Sequence, residues 1–415
     1  MKNHQNVLII GAGTAGIMAA AQLKKLNSKL SISIIDPSET HYYQPAWTLV
    51  GAGTYDYHKT ARKMSSLIPK GVNWIKKYAA AFLPDQNMVQ TKDGSEYSYD
   101  YLIVCPGLTI DLTMIKGLKE SLNNGSVCSI YTDPEYAFEL IKNFKGGTAL
   151  FTQPTTPIKC GGAPQKFMYL SDDYFRKSGV RNKSTVVFAT PGTVIFGVKP
   201  IKKTLMEVVN RKDLMLSFGY KLVEIDGDNK IAWYEMASHE SYHNEKDIAL
   251  IRENGRVGIK YDLLHLAPPQ RSPKFVADSS LSTDQGWLSV DKHSLQHTEY
   301  NNIFGLGDVC QLPTAKTGAA IRKQVPIVVE SINRLLNSKD ISDKLYNGYS
   351  SCPLVTGYRK MVLAEFDYDK NFIPDPKLKQ MLVFNSDKEH WRLWMLKKYM
   401  LPYLYWNKMM KGVDV

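Results

Sequence analysis

The 415-residue chain is poor in cysteine: Cys105, Cys128, Cys160, Cys310 and Cys352 are its only five. Spread over that length, they exclude a secreted disulfide scaffold or a cysteine-rich zinc cluster. Any pair that reacts must be brought together by folding. Long hydrophobic runs are missing too, and none approaches the roughly 20 residues of a membrane-spanning helix. Residues 1–5 lead straight into an apolar strand, so no signal or transit peptide is expected and the working compartment reads as cytoplasmic. Carboxylates are in the minority, with 40 Asp and Glu against 52 Lys and Arg, a formal net charge of +12. Such an excess favours an anionic partner. The cations are spread along the chain and no nucleic-acid-binding module is legible, so nucleic acid is set aside in favour of a membrane surface. No internal repeat or low-complexity tract is visible.

What is present begins at the N-terminus. Residues 7–10 are a continuous apolar run, followed by Gly11-Ala12-Gly13-Thr14-Ala15-Gly16 and a helical pattern to residue 26. Gly11 permits a tight turn, Gly13 lets a pyrophosphate approach the backbone, and Gly16 allows the helix to pack closely on the sheet. The helix then aims its unpaired amides at the phosphates. A second apolar run, residues 32–35, ends in Asp36, placed to accept hydrogen bonds from ribose hydroxyls. Together these elements predict one bound dinucleotide.

A second alternating unit starts near residue 129, with a helix over 133–144, strands at 148–152 and 185–189, and a helix after Pro164. Its turn, residues 189–197, lacks the close-approach glycines, and Pro191 removes an amide donor. No nicotinamide nucleotide is expected there. From about residue 275 the chain returns to the first unit through a strand at 286–291, a strand at 302–306 ending in Gly307-Asp308, and a helix over 317–336. The expected fold is α/β: two Rossmann-like dinucleotide-binding domains, the second degenerate, plus a C-terminal amphipathic membrane-associating segment. The boundaries are 1–115 with 275–340, 116–274, and 341–415. In the last segment Trp391, Trp394, Tyr399, Tyr403, Tyr405 and Trp406 alternate with Arg392, Lys397, Lys398 and Lys408, a mixture suited to lipid headgroups. Its truncation before Trp391 is expected to weaken vesicle binding more than flavin binding.

Two cysteines have neighbourhoods that invite chemistry. Cys160 lies between Lys159 and Gly161-Gly162, ahead of a helix and near Lys166, where a thiolate is favoured. Cys352 lies in a second stretch between turn signals. Cys105, Cys128 and Cys310 read as packed thiols. His239-Glu240-Ser241-Tyr242-His243 matches a zinc motif, but its flanks read as two strands joined by a turn, which destroys the helical i, i+4 geometry. No metal is expected.

His41-Tyr42-Tyr43-Gln44-Pro45, the Lys159-to-Lys166 turn, Leu312-Pro313-Thr314, Lys316-Thr317, the stretch from Cys352 to Tyr358, Ala364-Glu365-Phe366-Asp367-Tyr368 and Leu401-Pro402-Tyr403-Leu404-Tyr405-Trp406-Asn407 together resemble the sulfide:quinone oxidoreductases, specifically the mitochondrial-type branch. The resemblance runs from residue 7 to about 412. It implies FAD as cofactor, hydrogen sulfide as electron donor, ubiquinone or a similar quinone as acceptor, and glutathione or sulfite as sulfur acceptor. A homo-oligomer is compatible with it. Cys160 and Cys352 would be the redox pair, Cys352 taking the persulfide while Cys160 becomes the thiolate that addresses the flavin. Gly11, Gly13, Thr14, Ala15, Gly16, Asp36, Gln44, Ala80, Asp308, Lys316 and Thr317 would contact FAD, with Lys316 or adjacent amides offsetting charge on the reduced ring. The expected location is peripheral, on the cytoplasmic face of a bacterial inner membrane. An NADH:quinone oxidoreductase of the same plan, a sulfide dehydrogenase with a cytochrome acceptor, and a non-catalytic flavin sensor are the competing readings.

Overall fold

In the computed structural model, residues 3–236, 248 and 250–414 are described. The His239-to-His243 motif lies outside them. Its expected flanking strands are present as Ile231–Met236 and Leu250–Glu253, but they do not pair with each other. Arg256–Lys260 is inserted between them in an antiparallel sheet.

The first strand, His4–Ile10, is buried on both faces from Val7 onward, as a central parallel strand requires. It pairs in parallel with Ile32–Ile35 on one side and Glu96–Val104 on the other. Ile303–Gly305 adds to Glu96–Val104, also in parallel, so the late segment rejoins the sheet that starts the chain. Among the described residues this sheet has seven strands, with Val72–Ile75 added in parallel to Ile32–Ile35 and the antiparallel pair Met88–Thr91 and Ala79–Leu83 completing it. Residues 286–291 do not form the expected strand and make only isolated bridges through Leu288 and Val290. The Asp291 carboxylate accepts from the amides of His293 and Ser294, and this turn bends the chain away before pairing can extend.

A second sheet is wholly parallel, in the order Val127–Cys128, Leu263–Leu266, Gly147–Thr152, Ser184–Thr190, Met215–Phe218. After Ser184–Thr190 the chain loops through residues 191–198 before the helix Lys199–Lys212 starts. In that loop Phe196 meets Phe366 edge-on at 6.0 Å and Gly197 faces the Lys370 side chain. Residues 192–194, next to the strand, stay exposed, while the later part of the loop, from Ile195 to Val198, packs on protein.

The helix Ala163–Ser178 and the hairpin Ser350–Gly357 with Lys360–Phe366 share one core, including Phe167, Leu354, Val362 and Ala364. Asp172 is fully buried on that helix and binds Arg176 at 2.9 Å, Arg181 at 2.6 Å and Lys212 at 3.0 Å. Next to it, Asp173 accepts from the Tyr358 amide at 2.7 Å, tying the hairpin's turn to the helix. The other end of the helix is thereby held against the strand that carries Cys352.

The C-terminal tail is helical over Trp391–Met395, passes through a π turn at Leu396–Met400 and continues as Leu401–Asn407. Among the described residues, no helix is long and apolar enough to cross a membrane.

Candidate active site

Cys160 occupies a left-handed backbone position, φ 85°, immediately before the helix Ala163–Ser178. Its carbonyl accepts from the Ala163 amide at 2.6 Å and from the Tyr131 hydroxyl at 3.3 Å, which fixes the turn. Cys352 is not in a turn as the sequence suggested. It sits buried on the strand Ser350–Gly357, where Pro353 is tolerated because a two-stranded hairpin leaves an outward edge that needs no donor. The two thiols, both free, share a hydrogen bond. Gly162 makes this approach possible, since a Cβ there would lie 2.8 Å from the Cys352 sulfur.

The charges around the pair are unequal. Lys166 is buried, yet its Nζ lies 3.1 Å from the Cys160 sulfur. The hydrogen bond from Cys352 and the Lys166 ammonium hold the Cys160 thiol well below the ordinary thiol range, against the effect of burial. The same hydrogen bond, with burial, pushes Cys352 up. The first proton therefore leaves from Cys160. Burial opposes the charge of Lys166, but the neighbouring sulfurs outweigh it and its pKa rises. A second cation comes from the far end of the chain: Lys397, only 4% exposed, donates to the Pro45 carbonyl at 3.0 Å and faces the same sulfurs. Burial first, and then Lys166, lower its pKa to about 7. Sequence reading placed Lys397 among the lipid-facing cations; its i+4 spacing from the buried Leu393 was the one signal that it belongs to the inner face.

Several of the expected cofactor residues, Gly11 to Gly16, Asp36 and Asp308, follow the C-terminal ends of parallel strands of the first sheet. Gly11 has φ 106°, and a Cβ there would meet the Cys105 carbonyl at 2.5 Å. At Gly16 a Cβ would lie 1.9 Å from the Gly11 carbonyl. Gly13 differs, having nothing within 4 Å. It precedes the 13-residue helix Thr14–Leu26 without a side-chain cap, so the first amides of the helix, Thr14 and Ala15 among them, have no capping side chain. Asp36 accepts from the Ala12 amide at 2.7 Å and keeps lone pairs for further donors. An open glycine at an uncapped helix start beside a carboxylate fits the pyrophosphate and ribose of FAD.

Gln44 starts a short turn over Gln44–Ala46, and Ala80 sits where Ala79–Leu83 bulges against its neighbour. Thr317 caps the 19-residue helix Gly318–Leu336 and meets the Ser350 hydroxyl at 2.9 Å, two residues from Cys352. Lys159 and Lys316 are bridged through their backbones, joining the Cys160 turn to this helix. The Lys316 ammonium turns away from that junction. It is held by the carbonyls of Asp308 and Cys310 and lies 4.1 Å from the Trp287 ring centre. Burial raises the Asp308 pKa, while Lys316 and Lys159 oppose that rise.

Residues 5–139 match the family model described as pyridine nucleotide-disulphide oxidoreductase. Over 414 residues the chain is 39% identical to the mitochondrial sulfide:quinone oxidoreductase of Mus musculus, covering 99% of this chain and 87% of that protein. The corresponding protein of Dictyostelium discoideum is 41% identical over 420 residues, with the same shares covered. The chain belongs to the sulfide:quinone oxidoreductases.

The solved sulfide:quinone oxidoreductase of Aquifex aeolicus superposes with a TM-score of 0.78, covering 99% of this chain and 92% of that one. At 20% identity that likeness speaks to the fold alone. As a sulfide:quinone oxidoreductase the chain is an FAD-dependent oxidoreductase, and the family's activity joins sulfide oxidation to quinone reduction. Both relatives are named mitochondrial, which gives no support to a bacterial inner membrane.

Proposed function

We propose that this sulfide:quinone oxidoreductase oxidises hydrogen sulfide to sulfane sulfur through Cys160 and Cys352, and passes two electrons by way of FAD to a membrane quinone. The observation that carries the reading is the meeting of these two distant sulfurs beside Lys166. In the oxidised pair the sulfurs are bridged. Hydrosulfide attacks the Cys352 side, a new sulfur–sulfur bond forms there, and the bond to Cys160 breaks with its electron pair. Cys352 then carries the persulfide and Cys160 is a thiolate. Lys166 stabilises that leaving charge, and Lys397 draws the anionic substrate toward the pair. FAD supplies a two-electron relay between this thiolate and the quinone. The outer sulfur of the persulfide leaves to a small acceptor such as glutathione or sulfite.

The proposal divides the work along the chain. Residues 1–115 and 275–340 hold the cofactor through Gly11, Gly13, Thr14, Ala15, Gly16, Asp36, Gln44, Ala80, Asp308, Lys316 and Thr317. Residues 116–274 carry Cys160, and residues 341–415 carry Cys352 and the membrane face. Anaerobic titration tests the electron donor: sulfide is expected to bleach the flavin absorbance without any added enzyme, and NADH is expected to leave it unchanged. Bleaching by NADH alone would replace this reading with an NADH:quinone oxidoreductase.

Membrane docking follows from the tail. Trp391, Met395, Tyr399 and Tyr403 recur every four residues, and all are exposed, whereas Leu393, Trp394 and Tyr405 are buried. Arg392 and Lys398 lie over the Trp391 and Tyr399 rings, at 4.8 and 5.4 Å. Rings that sink into the headgroup region while cations meet lipid phosphates suit a peripheral protein. Replacing Trp391, Tyr399 and Tyr403 together by Ser is expected to weaken binding to anionic vesicles, read by sedimentation, roughly a hundredfold, each ring contributing on the order of 1 kcal/mol. Unchanged sedimentation would remove this face from the account.

A further inference from the structure

We propose that Tyr405 is a positioning residue for the cofactor, locking the glycine loop from the C-terminal helix through a closed hydrogen-bonded circuit. The inference rests on FAD lying at that loop and not on the sulfide chemistry. Flavin binding therefore tests it whether or not sulfide reduces the flavin.

The circuit has three links. Thr14 Oγ1 lies 2.7 Å from the Tyr405 hydroxyl, which lies 2.5 Å from His41 Nε2, and His41 Nδ1 lies 3.3 Å from the Ala12 carbonyl. Residues 12–14 of the loop close the ring through their own backbone. The direction of every bond follows from one fact: a carbonyl only accepts. Burial lowers the pKa of His41 and keeps the imidazole neutral, so it carries one proton. That proton must be on Nδ1 to meet Ala12, which leaves Nε2 as an acceptor. Tyr405 then donates to His41 and accepts from Thr14.

Two consequences follow for the cofactor. The hydroxyl hydrogen of Thr14 is committed to Tyr405, so Thr14 meets phosphate through its amide and not its side chain. The Ala12 amide is itself held by Asp36, so the loop is braced at both of its polar groups by residues outside it. The hydroxyl of Tyr405 acts within a packed ring cluster, with Tyr43 at 4.6 Å and Trp406 at 4.9 Å between centroids. Beyond Tyr405 the tail runs along the cofactor helix itself. Met409 and Met410 share its core, Lys25 Nζ donates to the Gly412 carbonyl at 3.0 Å, and a Cβ on Gly412 would touch Ala21. The tail that presents Trp391, Tyr399 and Tyr403 outward thus grips the dinucleotide site on its inner side. The two functions that the sequence made separable are joined in one helix.

Tyr405→Phe removes the hydroxyl and keeps the ring. Two polar groups, the buried His41 Nε2 and the half-buried Thr14 hydroxyl, then lose their partner, which is expected to speed release of FAD from the diluted holoenzyme about tenfold. Release is read as the rise in free-flavin fluorescence. Thr14→Val is expected to act similarly, and the double variant to release flavin no faster than about the faster single one, because both cut the same circuit. Thr14→Ser keeps the donor and is expected to retain the wild-type rate. A role confined to holding the fold would lower the melting temperature of every variant while leaving the release rate unchanged. Wild-type release from Tyr405→Phe, or additive effects in the double variant, would overturn the proposal.

Discussion

Cys160→Ser and Cys352→Ser are each expected to abolish sulfide-dependent quinone reduction while the purified proteins stay yellow. Oxygen cannot replace sulfur here, because the bridge must accept a hydrosulfide and release a thiolate of low basicity. The two losses are expected to differ in character. Without Cys160 the pair lacks the sulfur whose ionisation is favoured by Lys166, so no thiolate accumulates near neutral pH. Without Cys352 the replacing serine hydroxyl can still donate to Cys160 beside Lys166, so the thiolate persists, but the persulfide has no anchor. Alkylation by iodoacetamide separates the cases: Cys352→Ser is expected to react at Cys160 near neutral pH, and Cys160→Ser to be protected by the burial of Cys352. Near-normal turnover of either variant would refute the paired-sulfur reading. The glycine loop lies outside this pair, so flavin content is the internal control.

The second large effect separates two kinds of glycine. Gly16→Ala places a methyl 1.9 Å from the Gly11 carbonyl, a backbone atom that no rotamer change can move aside. The helix must shift off the sheet, at a cost of about 1–3 kcal/mol or more, so both the melting temperature and the flavin content are expected to fall. Gly13→Ala meets nothing within 4 Å, and its φ of −72° suits alanine. The flavin-free chain is expected to melt as the wild type does, and only flavin binding is expected to be lost, since the methyl fills the space a pyrophosphate needs. Differential scanning fluorimetry with and without added FAD measures both. A Gly13→Ala protein that binds flavin normally would show that the open space is not the phosphate site.

Much of the fold was legible because its signals are local. An apolar run, three spaced glycines and an acid at the end of the next strand all lie within residues 7–36, and the structure delivers each as expected. Residues 286–291 failed as a strand because an Asx turn, a side-chain effect, cut the pairing short. Cys352 looked like a turn residue because proline and serine usually punctuate, but an edge position in a two-stranded hairpin tolerates both. Lys316 or the adjacent amides were expected to offset charge on the reduced flavin; sequence did not show that the ammonium is held by two backbone carbonyls from the Gly307–Val309 turn and its exit.

The sequence by itself determined the dinucleotide loop, and the family resemblance pointed to Cys160 and Cys352 as the sulfurs of the proposed mechanism. That loop depends on residues within a few positions of one another. Tertiary structure alone decided what surrounds those sulfurs and that loop. Lys397 and Tyr405 lie on a tail whose amphipathic pattern shows that one face is buried without showing what it is buried against. Folding carries that face across the molecule, setting a buried ammonium against the thiols and a phenol against the glycine loop. Contacts between residues hundreds of positions apart leave no periodic trace in a single sequence, because periodicity reports the direction of a side chain and never the identity of its partner.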